Sequence, residues 1–169
     1  MPPDLTDAGR VSIVGAMKTY AFEDFFVGQT IEFGNRLVDR EEGLAFARAY
    51  DPQPLHLDEE AAKASVLGGL SVSGWHTCAM VMRMMCDEYL LDSTSQGSPG
   101  IDNLRWLKPV RPGDVLRVRM TVDEVKPSRS RPEIGLIRSS WQVFNQKDEA
   151  VMSMEGWGMF GRRNLTAQG

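Results

Sequence analysis

The sequence predicts an α+β fold in which an antiparallel sheet of about five strands wraps around one long central helix. Two observations support this prediction. Within a helix predicted over residues 73–91, the segment from Trp75 to Cys86 is apolar on nearly every side, which is typical of a helix buried in a core. Four strand-like segments follow it, and one strand and a group of helices precede it. This order of elements predicts a sheet folded around the apolar helix.

The chain has 169 residues, the usual size of one domain, and its 42% hydrophobic and 25% charged residues are ordinary for a globular protein. We expect an N-terminal arm over residues 1–19, one folded domain over residues 20–163 and a C-terminal tail over residues 164–169. The sequence leaves open whether translation begins at Met1 or at Met17.

Charge and cysteine content argue against several classes of function. The 19 Lys and Arg residues are outnumbered by 23 Asp and Glu residues, and the net charge of −4 argues against nucleic-acid binding. Two cysteines and two histidines are too few for a disulfide framework or a cysteine-rich zinc site, so we expect no metal. The composition fits the reducing cytoplasm. Charges interrupt the longest apolar segment, so we expect no membrane partner.

Local signals place the elements along the chain. Residues 29–38 alternate imperfectly between apolar and polar side chains, as in a strand, and Gly34 indicates a bulge. Asp39 is typical of a helix N-cap, and the helix that it opens runs to about Tyr50, where Pro52 ends it. The remaining expected elements are a short helix over residues 59–65 and strands over residues 101–107, 115–125, 134–144 and 150–160.

The segment from Asp51 to His56 is the first candidate site. It contains two prolines, which predict a stiff, extended loop. Asp51 follows a helix C-terminus, where the helix dipole disfavours a carboxylate, and burial there would raise its pKa. An Asp and a His on one rigid loop can hold a water molecule, one removing its proton while the other delivers a proton elsewhere. The simpler alternative is that Asp51 caps a turn and that His56 is a packed structural side chain with no catalytic role.

The start of the central helix is the second candidate site. Ser73 is typical of a helix N-cap, and the helix is predicted to run to about Leu91. The first helical N–H groups have no partner within the helix, and Gly74 lets a ligand approach the backbone closely. A carbonyl oxygen that gains negative charge could therefore accept a hydrogen bond from the Gly74 N–H. The alternative is an ordinary serine N-cap with a close packing contact.

Taken together, these two features resemble the MaoC-like dehydratases and the (R)-specific enoyl-CoA hydratases, which share the hotdog fold. Their signature is an Asp, four further residues and a His, with a Gly eighteen residues after the His. Asp51, His56 and Gly74 match that spacing. The run Leu107–Asp114 is similar to the PVxxGD turn of these families. The resemblance extends over about residues 22–160.

The resemblance implies a catalytic function. Asp51 and His56 would form the catalytic dyad, and Gly74 would donate its N–H to the thioester oxyanion. The reaction would be reversible syn addition of water to a trans-2-enoyl thioester. We expect His56 to be the base toward water and Asp51 the proton partner at C2. Coenzyme A would enter as part of the substrate, with no metal and no redox cofactor.

The chain departs from the family pattern at two positions that the resemblance places near the substrate. Gln53 stands where the family usually has Asn, and Ser73 stands where it often has His. We expect both to be substrate-binding residues. Because they differ from the family pattern, the identity and length of the acyl chain stay open. Hotdog domains also pair edge to edge, which implies a homodimer or a dimer of dimers.

Three alternatives remain open at this point. The chain could be a hotdog thioesterase that hydrolyses the same class of substrate. It could be a non-catalytic subunit, either one that binds acyl-CoA or the partner of a catalytic subunit, or it could be a structural domain of a larger assembly. The sequence does not distinguish CoA from an acyl carrier protein as the thioester carrier.

Overall fold

A computed structural model describes residues 19–163 of the protein. The expected C-terminal tail and almost all of the expected N-terminal arm lie outside the described residues. The helices are α1 (Arg40–Tyr50), α2 (Pro54–Leu57), α3 (Glu59–Ala64) and α4 (Gly74–Met85), and single helical turns span Phe22–Asp24 and Cys86–Leu90. The strands are β1 (Thr30–Leu37), β2 (Gly100–Trp106), β3 (Val115–Pro127), β4 (Ile134–Phe144) and β5 (Ala150–Gly161).

The five strands form one antiparallel sheet in the order β1-β3-β4-β5-β2, which confirms the predicted fold class. Met120 of β3 pairs with Trp141 of β4, which pairs with Met154 of β5. Paired residues point to one face of a sheet, so these three large side chains lie side by side. They share one core with Met80 and Met84 of α4. Burying side chains of this size stabilises the fold by about 1.5–3 kcal/mol each.

The central helix is less buried than its composition predicts. Ser73 is the N-cap, as expected, and its Oγ accepts a hydrogen bond from the Trp75 N–H. The α-helix ends at Met85 and continues as a single wider turn to Leu90. Trp75 is 58% exposed and Met82 is 47% exposed, because the sheet covers only one side of α4. The expectation of a helix buried on nearly every side is therefore wrong for this face.

The exposed face of α4 lies beside the edge strand β2, and together they form an apolar strip. We define this apolar strip as five residues that are each about half exposed: Trp75, Met82, Ile101, Trp106 and Leu107. The rings of the two tryptophans contact each other edge to face, with centroids 5.2 Å apart. Within residues 19–163, no helix is both long and apolar enough to cross a membrane.

The segment between Asp51 and His56 is only partly extended. Asp51 and Gln53 have non-helical backbone angles, as expected for residues that precede proline. Pro54 then opens the short helix α2, which contains His56, so the prediction of an extended loop through His56 is wrong. The physical reason is that proline fits the first helical position, where no hydrogen bond from its nitrogen is needed.

Gly34 marks the bulge that the sequence indicates in β1. The register with β3 shifts between Gly34 and Arg36, and Gly34 has a φ of +122°. A Cβ at this position would lie 3.0 Å from the Arg117 Cα and 3.0 Å from the Leu116 carbonyl oxygen. Both neighbours are backbone atoms that a side-chain rotation cannot move away.

We therefore expect Gly34→Ala to lower the free energy of unfolding by about 2–4 kcal/mol, because backbone strain adds to the clash with β3. Gly28→Ala is the matched control, because Gly28 has a φ of +87° but open space around it. Gly28→Ala should lower the free energy of unfolding only by the backbone strain, about 1–2 kcal/mol. Urea unfolding of both variants measures the difference. Equal losses would show that the crowding at β1 has no energetic effect.

Candidate functional site

The structure brings the predicted dyad together in one pocket. Asp51 directly follows α1 and His56 lies on α2, and the Asp51 Oδ2 and the His56 Nε2 are 3.4 Å apart. The two side chains are 15% and 10% exposed, respectively. They line a cavity of about 350 Å³ that Gln53 and Gly74 also line. The fifth predicted residue, Ser73, is fully buried behind the carboxylate of Asp51.

Both carboxylate oxygens of Asp51 accept a hydrogen bond. The Gln53 Nε2 donates to Oδ1 at 2.6 Å, and the Ser73 Oγ donates to Oδ2 at 2.7 Å. The hydrogen bond from Gln53, then that from Ser73, and less strongly the nearby His56 lower the pKa of Asp51. Burial acts in the opposite direction but is outweighed. The expectation that burial raises this pKa is therefore wrong, because two donors stabilise the charged form.

Ser73 connects Asp51 to the start of α4. Its Oγ accepts from the Trp75 N–H at 3.2 Å and donates its own hydrogen to Asp51. A serine hydroxyl has one hydrogen to donate and can accept as well, so both contacts are satisfied at once. Ser73 therefore caps the helix and orients the carboxylate. The sequence predicts the cap, but it gives no sign of the contact with Asp51 twenty-two residues away.

The orientation of His56 is fixed by the backbone. Its Nδ1 lies 2.9 Å from the carbonyl oxygen of Ser71. A carbonyl oxygen can only accept a hydrogen bond, so Nδ1 carries a proton. In the neutral imidazole, Nε2 is then unprotonated and faces Asp51. The Ser71 carbonyl is a contributor that sequence reasoning missed, because a backbone group has no signal of its own.

The dyad and its neighbours can hold one water molecule. The carboxylate oxygen Asp51 Oδ2 is a proton acceptor, and so is the His56 Nε2 when the imidazole carries its single proton on Nδ1; two acceptors do not hydrogen-bond to each other. A water molecule has two hydrogens to donate and can bridge acceptors 3.4 Å apart. The arrangement is therefore suited to activating water by removal of a proton.

Gly74 is the first residue of α4 and lines the same cavity. The indole of Trp106 lies directly over it, and the Trp106 Nε1 donates to the Gly74 carbonyl oxygen at 3.0 Å. A Cβ at position 74 would lie 2.5 Å from Trp106 Cε2, so only glycine fits beneath this ring. Trp106 is the second contributor that sequence reasoning missed, since nothing local in β2 indicates contact with α4.

His76, the other histidine, does not join this pocket. It stacks on Phe46 with ring centroids 5.0 Å apart, and its Nε2 is 3.6 Å from the Glu42 Oε1. Burial lowers the pKa of His76. In the part of the chain that the structure describes, no group of three or more His, Cys, Asp or Glu side chains is placed to hold a metal ion.

Comparisons with solved structures give the fold its name. A Mycobacterium tuberculosis protein described as having a double hotdog fold matches 90% of this chain and 47% of its own, with a TM-score of 0.73 at 18% identity. At that identity the likeness shows the fold alone. The predicted hotdog fold is therefore confirmed.

Sequence comparisons identify the family. The crystal structure of the MaoC-like dehydratase from Rhodospirillum rubrum is 39% identical, with a TM-score of 0.79 over 86% of this chain and 99% of that one. Mesaconyl-CoA hydratase from Cereibacter sphaeroides is 31% identical over 89% of this chain, which spans only 45% of that enzyme. The MaoC like domain family matches residues 24–137, more than half of the sequence. The chain therefore belongs to the MaoC-like domain family, whose relatives named here are a hydratase and a dehydratase.

Proposed function

We propose that this protein is a cytoplasmic hydro-lyase that adds water to, or removes it from, the 2,3 double bond of an enoyl-CoA thioester. The observation that carries the proposal is the pair of proton acceptors, the Asp51 Oδ2 and the His56 Nε2, in one cavity with the start of α4. The activities named for the hydratase and dehydratase relatives support the same reaction class.

In the hydration direction, a water molecule donates one hydrogen to Asp51 and the other to His56. As its oxygen bonds to C3, the His56 Nε2 takes the proton, and negative charge develops on the thioester carbonyl oxygen. The Gly74 N–H and the dipole of α4 stabilise that charge. The imidazolium then returns the proton to C2, so the enzyme ends in its starting state.

The protonation states favour His56 over Asp51 as the group that delivers the proton to C2. Two donors lower the pKa of Asp51, so its carboxylate is ionised at neutral pH and is a poor proton donor. Its negative charge instead stabilises the imidazolium that forms during the reaction. This assignment revises the expectation from sequence, which placed Asp51 at C2.

The expected result with crotonyl-CoA is loss of the enoyl absorbance without release of free thiol. Asp51→Asn and His56→Ala should each lower kcat/KM by about 10²- to 10⁴-fold, the usual contribution of acid–base groups. Asp123→Asn, a change at an exposed carboxylate outside the cavity, is the control and should retain activity. Release of thiol would assign a thioesterase instead, and unchanged turnover in either dyad variant would overturn the mechanism.

Gln53→Met should raise the pKa of Asp51 toward its usual 3.8, because it removes the first of the donors that lower it. A group whose pKa is depressed on folding stabilises the fold above its unfolded pKa, and this stabilisation disappears as the pH falls through the folded pKa. The variant should therefore lose less stability than the wild type when the pH is lowered below 4. A ¹³C NMR titration of the carboxyl carbon, assigned with Asp51→Asn, measures the midpoint directly. An unshifted midpoint would show that Gln53 does not set this pKa.

We also propose that the protein is a homodimer. The strand β2 is one edge of the sheet, and the apolar strip beside it is half exposed. Exposed strand edges and apolar patches favour association, and a second copy can cover both at once.

Ile101→Lys, which places a charge in the apolar strip, should convert the dimer to a monomer in sedimentation experiments. Val66→Lys is the matched control, because Val66 is fully exposed but lies outside the strip. It should leave the mass unchanged. A monomeric wild-type protein, or a dimer that persists in the Ile101 variant, would contradict this assembly.

A further inference from the structure

Thr77 is a polar residue of α4 that lines the cavity of the dyad and that the proposed mechanism does not use. It is only 1% exposed, and Val72 and Val110, which also line the cavity, are buried as well. These three residues therefore belong to the inner wall of the cavity, whereas the half-exposed Trp75 and Trp106 lie toward its mouth. Thr77 thus presents a polar group to a part of the cavity that is largely closed to bulk water.

The hydroxyl of Thr77 has no hydrogen-bond partner among residues 19–163. In a helix, a threonine hydroxyl can bond to the carbonyl four residues back, but the Ser73 carbonyl accepts only the Thr77 N–H, at 3.1 Å. The hydroxyl oxygen is not sealed off from solvent, so it faces the cavity that Thr77 lines. Buried hydroxyls usually have a partner, so this one is available to a ligand.

The position of Thr77 along α4 indicates which part of the proposed substrate it would meet. Thr77 is three residues after Gly74, which is about 4.5 Å along the helix axis. Three carbon–carbon bonds of an extended acyl chain cover nearly the same distance. With the thioester oxygen on the Gly74 N–H and the chain running along α4, C4 comes level with Thr77. This carbon is next to C3, the atom that receives water.

The charges around the cavity favour a neutral oxygen over a carboxylate at C4. The carboxylate of Asp51 lines the cavity, and its lowered pKa keeps it ionised at neutral pH. Lys108 is the only Lys or Arg among the described residues that line this cavity, and its Nζ lies 2.7 Å from the Glu149 Oε1. A second carboxylate would therefore meet a like charge without an unpaired cation to balance it.

We propose that the Thr77 hydroxyl binds a neutral oxygen at C4 of the acyl group, so that the substrate is a 4-oxygenated enoyl thioester. This inference rests on the proposed function, because it names the substrate class of the same site. A threonine hydroxyl can both donate and accept, so a hydroxyl or a carbonyl oxygen at C4 satisfies it. An unsubstituted acyl chain offers no such atom.

The test compares hydration of 4-hydroxycrotonyl-CoA and of crotonyl-CoA by the wild type, Thr77→Val and Thr77→Ser. Valine keeps the branched shape without the hydroxyl, whereas serine keeps the hydroxyl and is the matched control. The ratio of the two kcat/KM values should be about threefold to tenfold higher in the wild type than in Thr77→Val, the usual gain from one net hydrogen bond. Thr77→Ser should keep the wild-type ratio. A general loss of activity in a variant cancels in this ratio, and so does the different reactivity of the two substrates.

Saturated thioesters, which cannot be hydrated, test the same contact through binding alone. By calorimetry, the wild type should bind 4-hydroxybutyryl-CoA more tightly than butyryl-CoA, and succinyl-CoA, which has a carboxylate at C4, should bind most weakly. The preference for the hydroxyl should disappear in Thr77→Val.

The outcomes separate this inference from the proposed function. Hydration of both enoyl thioesters with the same ratio in the wild type and in Thr77→Val would overturn only the role of Thr77, and would leave its hydroxyl to water. Tightest binding of succinyl-CoA would overturn the preference for a neutral oxygen. A binding preference that depends on Thr77, without hydration of either enoyl thioester, would overturn only the proposed function.

Discussion

The hydrogen bond from Ser73 to Asp51 is the contact on which the site depends. It joins the end of α1 to the start of α4, two elements that are distant in sequence. The same serine caps α4, so the position of the carboxylate and the start of the helix cannot change separately. A buried hydroxyl that serves as donor and acceptor gives more positional definition than either contact alone.

The short segment Ser71–Gly74 extends this constraint to the rest of the site. The Ser71 carbonyl accepts a hydrogen bond from His56, and the Ser73 hydroxyl donates one to Asp51. Gly74 is the first residue of α4. Val72 is held by a hydrogen bond from its N–H to the Val110 carbonyl. A Cβ at Gly43 would lie 2.6 Å from the Val72 Cγ1, so α1 packs tightly against this segment. The dyad and the helix start are thus oriented by one backbone segment that the core holds on two sides.

The features that were predictable from sequence are those set by local chemistry. Proline, glycine and capping residues act on their immediate neighbours, so the start of α4 and the bulge at Gly34 were correctly placed. The pKa of Asp51 was predicted in the wrong direction, because Ser73 becomes its neighbour only after the chain folds, and the hydrogen bond from the adjacent Gln53 depends on the conformation of the loop. The partial exposure of α4 and the contact of Trp106 with Gly74 depend on the docking of β2, which no local pattern encodes.

The packing of Trp106 on Gly74 couples two positions that are thirty-two residues apart. Any side chain at position 74 collides with the indole, and a smaller residue at position 106 removes the ring that makes glycine necessary. Substitutions at the two positions are therefore not additive, because the second changes the cost of the first. Replacing Trp106 first therefore lowers the cost of replacing Gly74, whereas replacing Gly74 first requires the indole to move away from the start of α4.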